Sequence, residues 1–218
     1  MLPSLGKKYG VALERSLEML AITKRRAIVE DPPVATLLFG DARFSWIWLL
    51  VRLYVGYSWI SSGLGKVTNP AWMDGGTALK GYWTNAVVIP ATGKAPITFD
   101  WYRDFLTALL SGGHYVWFAK LVAFGELAIG TALILGAFVG VAAFFGGFMN
   151  WNFMMAGTAS TNPVMFALAV ALILAWKTAG YVGLDRVLLP MLGTPWRPGV
   201  VLRGDGPAME TAATAHRA

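Results

Sequence analysis

Two charged side chains lie inside stretches that are otherwise built to avoid water. Arg52 falls within residues 44–64 and Glu126 within residues 115–136. A charge at the centre of a bilayer costs ~2.5–3.5 kcal/mol on insertion scales, so neither residue is expected there without a partner or a task. Arg52 is about eight residues into the first stretch and Glu126 about eleven into the second, which runs the opposite way. At ~1.5 Å per residue both reach the middle third of the membrane, and the expectation is that they face each other as an ion pair. One reading of that pair is structural, a device that fixes helix register. The other is chemical: Glu126 binds or protonates a ligand such as a quinone head group, its pKa either raised by desolvation or lowered by Arg52.

A second polar group gathers at the outer ends of the same stretches. Lys66 closes the first in the run GLGK, His114 and Lys120 open the second, and Asn150, Asn152, Thr158 and Asn162 flank the next two. Lys66 and Lys120 either snorkel to the surface or, with His114, hold a small anion. His114 is also a candidate proton carrier. With His114 and His216 the only histidines and no cysteine in the chain, neither a bis-histidine haem in the bundle nor an iron–sulfur cluster is expected. No metal-ligand spacing or phosphate loop is present either. Any redox chemistry would need a diffusible carrier or a partner's cofactor.

The elements that must position these residues are helices. The 218 residues are 56% hydrophobic and 14% charged, with a mean hydropathy of +0.54. A soluble chain carries about 25% charged residues. Four stretches, 44–64, 115–136, 138–157 and 163–181, are each close to the ~20 apolar residues that span a bilayer. Asn162 before Pro163 reads as an N-cap followed by proline at the first helical position. Small residues recur on one side of each: Gly56 and Gly63 with Arg52; Ala119, Ala123 and Gly130 with Glu126; Ala142, Gly146 and Asn150; and Ala167, Ala171, Ala175 and Ala179. Such stripes let helices pack closely. The fold class is therefore all-α membrane protein: a four-transmembrane-helix bundle, with an N-terminal amphipathic helix and a long extracytoplasmic loop.

Residues 1–43 form a basic arm. Tyr9, Leu13, Leu17 and Leu20 share one helical face within residues 4–29, suiting an interfacial helix or a docking surface for a partner subunit. Glu14, Arg15 and Glu18 break any secretory-signal core. Residues 44–190 form the membrane domain, and residues 191–218 a Gly/Pro/Ala-rich tail expected to be poorly ordered. Cations concentrate in the arm and the C-terminal flank, which puts both termini in the cytoplasm and accounts for the net charge of +6 without nucleic acid. The outer loop, 66–113, carries Trp72, Tyr82, Trp83, Trp101 and Tyr102, as an interfacial belt or a cap over a pocket. A surface helix is expected over 99–110, ending at Gly112–Gly113, and a strand hairpin over 83–99.

Arg52, GLGK at 63–66, GELAIGTALILG at 125–136, MNWNFMMAGTASTNP at 149–163 and LAWKTAGYVGLDR at 174–186 together resemble the DoxX/DoxD family of prokaryotic four-helix membrane proteins. The similarity covers about residues 43–190. The resemblance implies a multi-pass protein of the prokaryotic cytoplasmic membrane. Its DoxD branch is associated with thiosulfate:quinone oxidoreductase, working beside a smaller DoxA-like subunit. No catalytic motif of the family carries over residue by residue; from the polar positions themselves Glu126, Arg52 and His114 are the catalytic candidates, and Lys66, Lys120, Asn150 and Asn152 the substrate-binding ones. Quinone is the diffusible cofactor, and the lipid bilayer and further membrane-complex subunits are the partners. The alternatives are a non-catalytic accessory subunit of a respiratory or photosynthetic complex and a small transporter.

Overall fold

The computed structural model describes residues 31–193, and the amphipathic arm at 4–29 and the tail beyond 193 lie outside them. The regular structure of the described residues is all helical, with no strand among them. In order they form α1 (Pro33–Gly40), a 3-10 turn (Ala42–Phe44), α2 (Ser45–Val67), a single turn (Pro70–Met73), α3 (Thr77–Val87), α4 (Asp100–Ser111), α5 (Tyr115–Leu135), α6 (Val139–Met155), α7 (Asn162–Leu174), a single turn (Trp176–Ala179) and α8 (Asp185–Met191). The last of the outer helices runs close to where the sequence places it. The hairpin expected at 83–99 does not form. Leu79, Trp83 and Ala86 recur at four and three residues, so they make one buried helical face of α3, and the chain after Val87 is irregular up to Asp100.

Four helices close a ring, with α2 against α5, α5 against α6, α6 against α7, and α7 back against α2. The α2–α5 contact is the tightest, and glycine makes it so. A Cβ on Gly130 would stand 2.7 Å from the Gly56 carbonyl oxygen and 2.7 Å from the Ile60 nitrogen, and one on Gly63 would stand 2.9 Å from the Leu127 nitrogen. These contacts set the register: Gly56 lies opposite Gly130, and Gly63 opposite Leu127. The expected stripes on α5 and α6 are buried as a set, namely Ala119, Ala123, Glu126 and Gly130, then Ala142, Gly146 and Asn150. The expected stripe over 167–179 is buried in part: Ala175 and Ala179 are core residues and Ala171 packs against them. Ala167 faces outward, and Met165, Ala169 and Leu172 face the core.

The start of α7 also differs in detail from the expectation. The helix begins at Asn162 with Thr161 at the cap position, and the Asn162 amide donates to the Thr158 carbonyl at 3.1 Å instead of capping. Its end comes at Leu174, short of 181, where the chain breaks into the turn Trp176–Ala179.

The ring's core includes Trp48, Val55, Ile129, Leu133 and Leu172. A second core sits over one end of the ring, where Leu79, Trp83, Ile97, Tyr102 and Leu106 pack with Ala119 and Ala156. Residues 66–113 are thus a folded cap. Of its aromatics Trp83 and Tyr102 are interior, and Trp101 is exposed.

Among the described residues, α5 is long and apolar enough to cross a membrane, and α1 with residues 42–67 passes as a second, bent by 59°. The bend falls at Gly40–Asp41, where the Asp41 carboxylate accepts from the Arg43 amide at 2.9 Å and starts a new helical turn. At 17 and 13 residues, α6 and α7 fall short of a full crossing by length.

Candidate functional site

The site lies where the ring meets its cap. Trp59, Ser62 and Lys66 recur along one face of α2, Glu126 comes from α5, and Asn150 from α6. Lys66 Nζ donates to Glu126 Oε2 at 2.8 Å and to Ser62 Oγ at 2.6 Å, and it sits 5.1 Å from the centre of the Trp72 ring. The pair is deeply placed: the Glu126 side chain is 1% exposed and that of Lys66 is 17%. An ammonium here is held by a carboxylate, a hydroxyl and an aromatic face at once, so it does not snorkel.

These groups line a cavity of about 310 Å³ whose far wall is the polar loop after α6, including Thr158, Ser160, Thr161 and Asn162. Three buried atoms on its lining residues have no hydrogen-bond partner: Glu126 Oε1, Trp59 Nε1 and Asn150 Nδ2. Trp59 is 4% exposed, and Glu126 and Asn150 are 1% exposed. An unpaired buried polar group costs about 1–3 kcal/mol. Three on residues of one cavity leave it with hydrogen-bonding capacity that a water or a ligand can take up.

A second cavity, of about 500 Å³ and almost wholly apolar, adjoins the first and is lined by residues such as Trp83, Leu106, Phe118, Phe145 and Phe148. Tyr82 and Phe153 belong to both walls. They meet edge to face with centroids 6.3 Å apart, and the Tyr82 hydroxyl shares a 2.8 Å hydrogen bond with Thr158 Oγ1. Tyr102 reaches the apolar cavity from α4 and donates to the Asn152 carbonyl and to its Oδ1, each at 3.1 Å. Burial pushes the Tyr102 phenol up to about 12, with nearby Tyr82 adding to the effect. Burial raises Tyr82 as well, opposed by its bond to Thr158.

The expected Arg52–Glu126 pair is not formed. Arg52 Nη1 donates to the Ala179 carbonyl at 3.2 Å and Nη2 to that of Val182 at 2.7 Å. Asp185 is the nearby acid. It accepts from the Phe138 amide at 2.6 Å and the Val139 amide at 2.8 Å, so its carboxylate caps the N-terminus of α6. The physical reason is register. With Gly63 opposite Leu127, Glu126 lies beside Ser62, ten residues along α2 from Arg52, or about 15 Å. The N-terminal turns of α5 project past the end of α2, and counting depth from the two helix starts misses that overhang.

The other candidates divide. Lys66 and Asn150 join Glu126 at the polar cavity. Asn152 lines the apolar one, its amide donating to the Phe148 carbonyl at 2.8 Å. His114, just before α5, and Lys120 on it are exposed. His114 Nδ1 accepts from Trp117 Nε1 at 3.2 Å, and Lys66 is engaged by Glu126, so the three do not make an anion cluster. The sequence reading missed Trp59, Ser62 and Asp185. The 59, 62, 66 spacing puts the first two on the Lys66 face, a signal that was present. The role of Asp185 depends on a turn 47 residues earlier and leaves no local signal. Among the described residues no group of three His, Asp or Glu could hold a metal ion.

Comparison with protein-family models, with curated proteins and with solved structures finds no match for this chain.

Proposed function

We propose that this chain is a multi-pass membrane protein that binds a quinone head group in the polar cavity, and that it serves as a quinone-linked subunit of the kind its DoxX/DoxD resemblance implies. Four spanning helices would be α2, α5, α6 and the broken α7, with both termini on the cytoplasmic side. Support for the membrane comes from the outside of the ring, where Leu50, Tyr57, Leu121, Phe124, Phe144 and Val164 are all exposed, while Arg52 and Glu126 are inside. The observation that carries the ligand reading is the buried Lys66–Glu126 pair, with an open carboxylate oxygen, beside an aromatic-lined apolar cavity. The polar cavity takes the ring oxygens and the apolar one the body of a lipophilic ligand.

In the full reaction two thiosulfates join through a new S–S bond to give tetrathionate and release two electrons. Quinone takes up those electrons and two protons to become hydroquinone. Glu126, as the carboxylate paired to Lys66, would take up a proton from water and hand it on to the reduced quinone oxygen, the second proton coming from water as well. His114 and Lys120, exposed near the start of α5, would attract the anionic reductant.

The test is purification in mild detergent, mass spectrometry of extracted lipophiles, and quinone reduction on adding thiosulfate. Quinone at near-stoichiometric yield, and thiosulfate-dependent turnover that drops in Glu126→Gln, are expected. Failure to bind any added quinone refutes the ligand reading. Tight copurification with other polypeptides and no bound quinone would favour an accessory subunit instead.

A further inference from the structure

The three unpaired atoms on residues that line the polar cavity are unequal in kind. Glu126 Oε1, on a carboxylate whose other oxygen receives the Lys66 ammonium, is an acceptor; Trp59 Nε1 and Asn150 Nδ2 are donors. They lack one proton and two lone pairs. A hydroxyl oxygen offers that complement, with one O–H to donate and two lone pairs to accept. A carbonyl oxygen offers lone pairs alone. It can answer Trp59 or Asn150, but it leaves Glu126 Oε1 bare and puts a second negative end near it.

We propose, resting on the quinone reading above, that this cavity discriminates between the two redox forms of its ligand and holds the hydroquinone more tightly than the quinone. The hydroquinone O–H donates to Glu126 Oε1, and the same oxygen accepts from Asn150 Nδ2 and Trp59 Nε1. The difference between the two forms is one hydrogen bond to a charged acceptor, and such bonds are the stronger class. The preference is about tenfold or more. A tenfold preference for the reduced form raises the potential of the bound two-electron couple by about 30 mV. The site therefore draws electrons toward its ligand and retains the product until the hydroxyl proton is lost or exchanged.

The experiment is calorimetric titration of the detergent-solubilised full chain, under argon, with decyl-ubiquinol, decyl-ubiquinone and the dimethyl ether of the quinol. The quinol is expected to bind at least about tenfold tighter than the quinone. The ether, which keeps the reduced ring but cannot donate, should bind no better than the quinone. In Glu126→Gln the preference should fall to within about threefold, because a carboxamide can turn its NH₂ toward a carbonyl. Asn150→Ala should weaken quinol and quinone by similar factors and leave their ratio standing, since both forms accept from that amide. Should Glu126→Gln fail to fold, the comparison of quinol with ether on the native chain decides the matter alone. Equal binding of quinol and quinone, or an ether as tight as the quinol, overturns this inference and leaves the proposed function intact. No binding of any of the three overturns both.

Discussion

Replacing Lys66 by methionine tests the central contact. The substitution removes the ammonium but keeps an apolar stem of similar length beside Trp72. Glu126 is left 1% exposed with Oε1 already unpaired and Oε2 stripped of its cation. Breaking a buried pair from one side costs about 3–5 kcal/mol. Lys66 is 17% exposed, and partial screening puts the expected loss near the lower end, about 3 kcal/mol. For a chain of this size that is a fall of roughly 6–12 °C in unfolding temperature. Adding Glu126→Gln removes the stranded charge, so the double variant should recover to within about 1 kcal/mol of the native chain. Circular dichroism on heating in detergent, over all four corners of the cycle, gives the coupling. The cycle Arg52→Met with Glu126→Gln is the control, and it should be close to additive, because Arg52 is bound to the Ala179 and Val182 carbonyls. Additivity in the Lys66 cycle, or strong coupling in the Arg52 cycle, would refute the register and restore the pairing that the sequence suggested.

Three further outcomes are expected. Gly130→Val should cost about 1–3 kcal/mol or more by the same melting assay, because the atoms 2.7 Å from its Cβ are backbone atoms of α2 and cannot rotate away; a native-like melt would contradict the close approach of α2 and α5. Asp185→Asn weakens the acceptor for the Phe138 and Val139 amides and removes the acid near Arg52, for a loss of about 1.5–3 kcal/mol, read as earlier unfolding and faster amide exchange at the start of α6. Tyr102, pushed up to about 12 by burial, titrates near 10 when unfolded, so the unfolded chain releases a proton that the folded chain keeps. Its contribution to stability is full below pH 10 and is lost as pH rises toward 12; phenolate absorbance should show a high-pH component that Tyr102→Phe removes.

The sequence makes the helices of the ring legible because apolar runs and small-residue stripes are local patterns. It also shows that Glu126 is interior, since Ala119, Ala123 and Gly130 share its face. It does not show which cation meets it. Arg52 and Lys66 are fourteen residues apart, close to four full helical turns, so both lie on the face of α2 that meets α5. Choosing between them requires the axial offset of the two helices, and that offset is set by Gly56, Gly63 and Gly130 meeting backbone on the neighbour. Periodicity fixes a face and leaves translation free. The cap was misread at residues 83–99 for a related reason: β-branched and aromatic residues suit a strand locally, but Leu79, Trp83 and Ala86 gain more by burying one helical stripe on α5 and α4.

The two cations of α2 then have opposite fates for a reason visible in their surroundings. Arg52 meets carbonyls of a tight turn, with Asp185 nearby, and Gly136 and Gly183 leave room for its guanidinium; a Cβ on Gly183 would come within 2.6 Å of Nη1. At that end it is Asp185 that holds the α5–α6 turn, where Phe138 takes a left-handed φ of 49°, against the start of α8, by accepting from the Phe138 and Val139 amides. Lys66 meets one carboxylate, one hydroxyl and an open cavity. A chain that needed its interior charges for register alone could close both ends in the manner of Arg52. It leaves one end hollow, with a donor deficit of one and an acceptor deficit of two, and encloses that hollow with Trp72, Tyr82 and Phe153. Both charges are buried, and Arg52 Nε lacks a partner as well; what sets the Lys66–Glu126 end apart is the cavity beside it, onto which two further residues with unpaired donors, Trp59 and Asn150, also open.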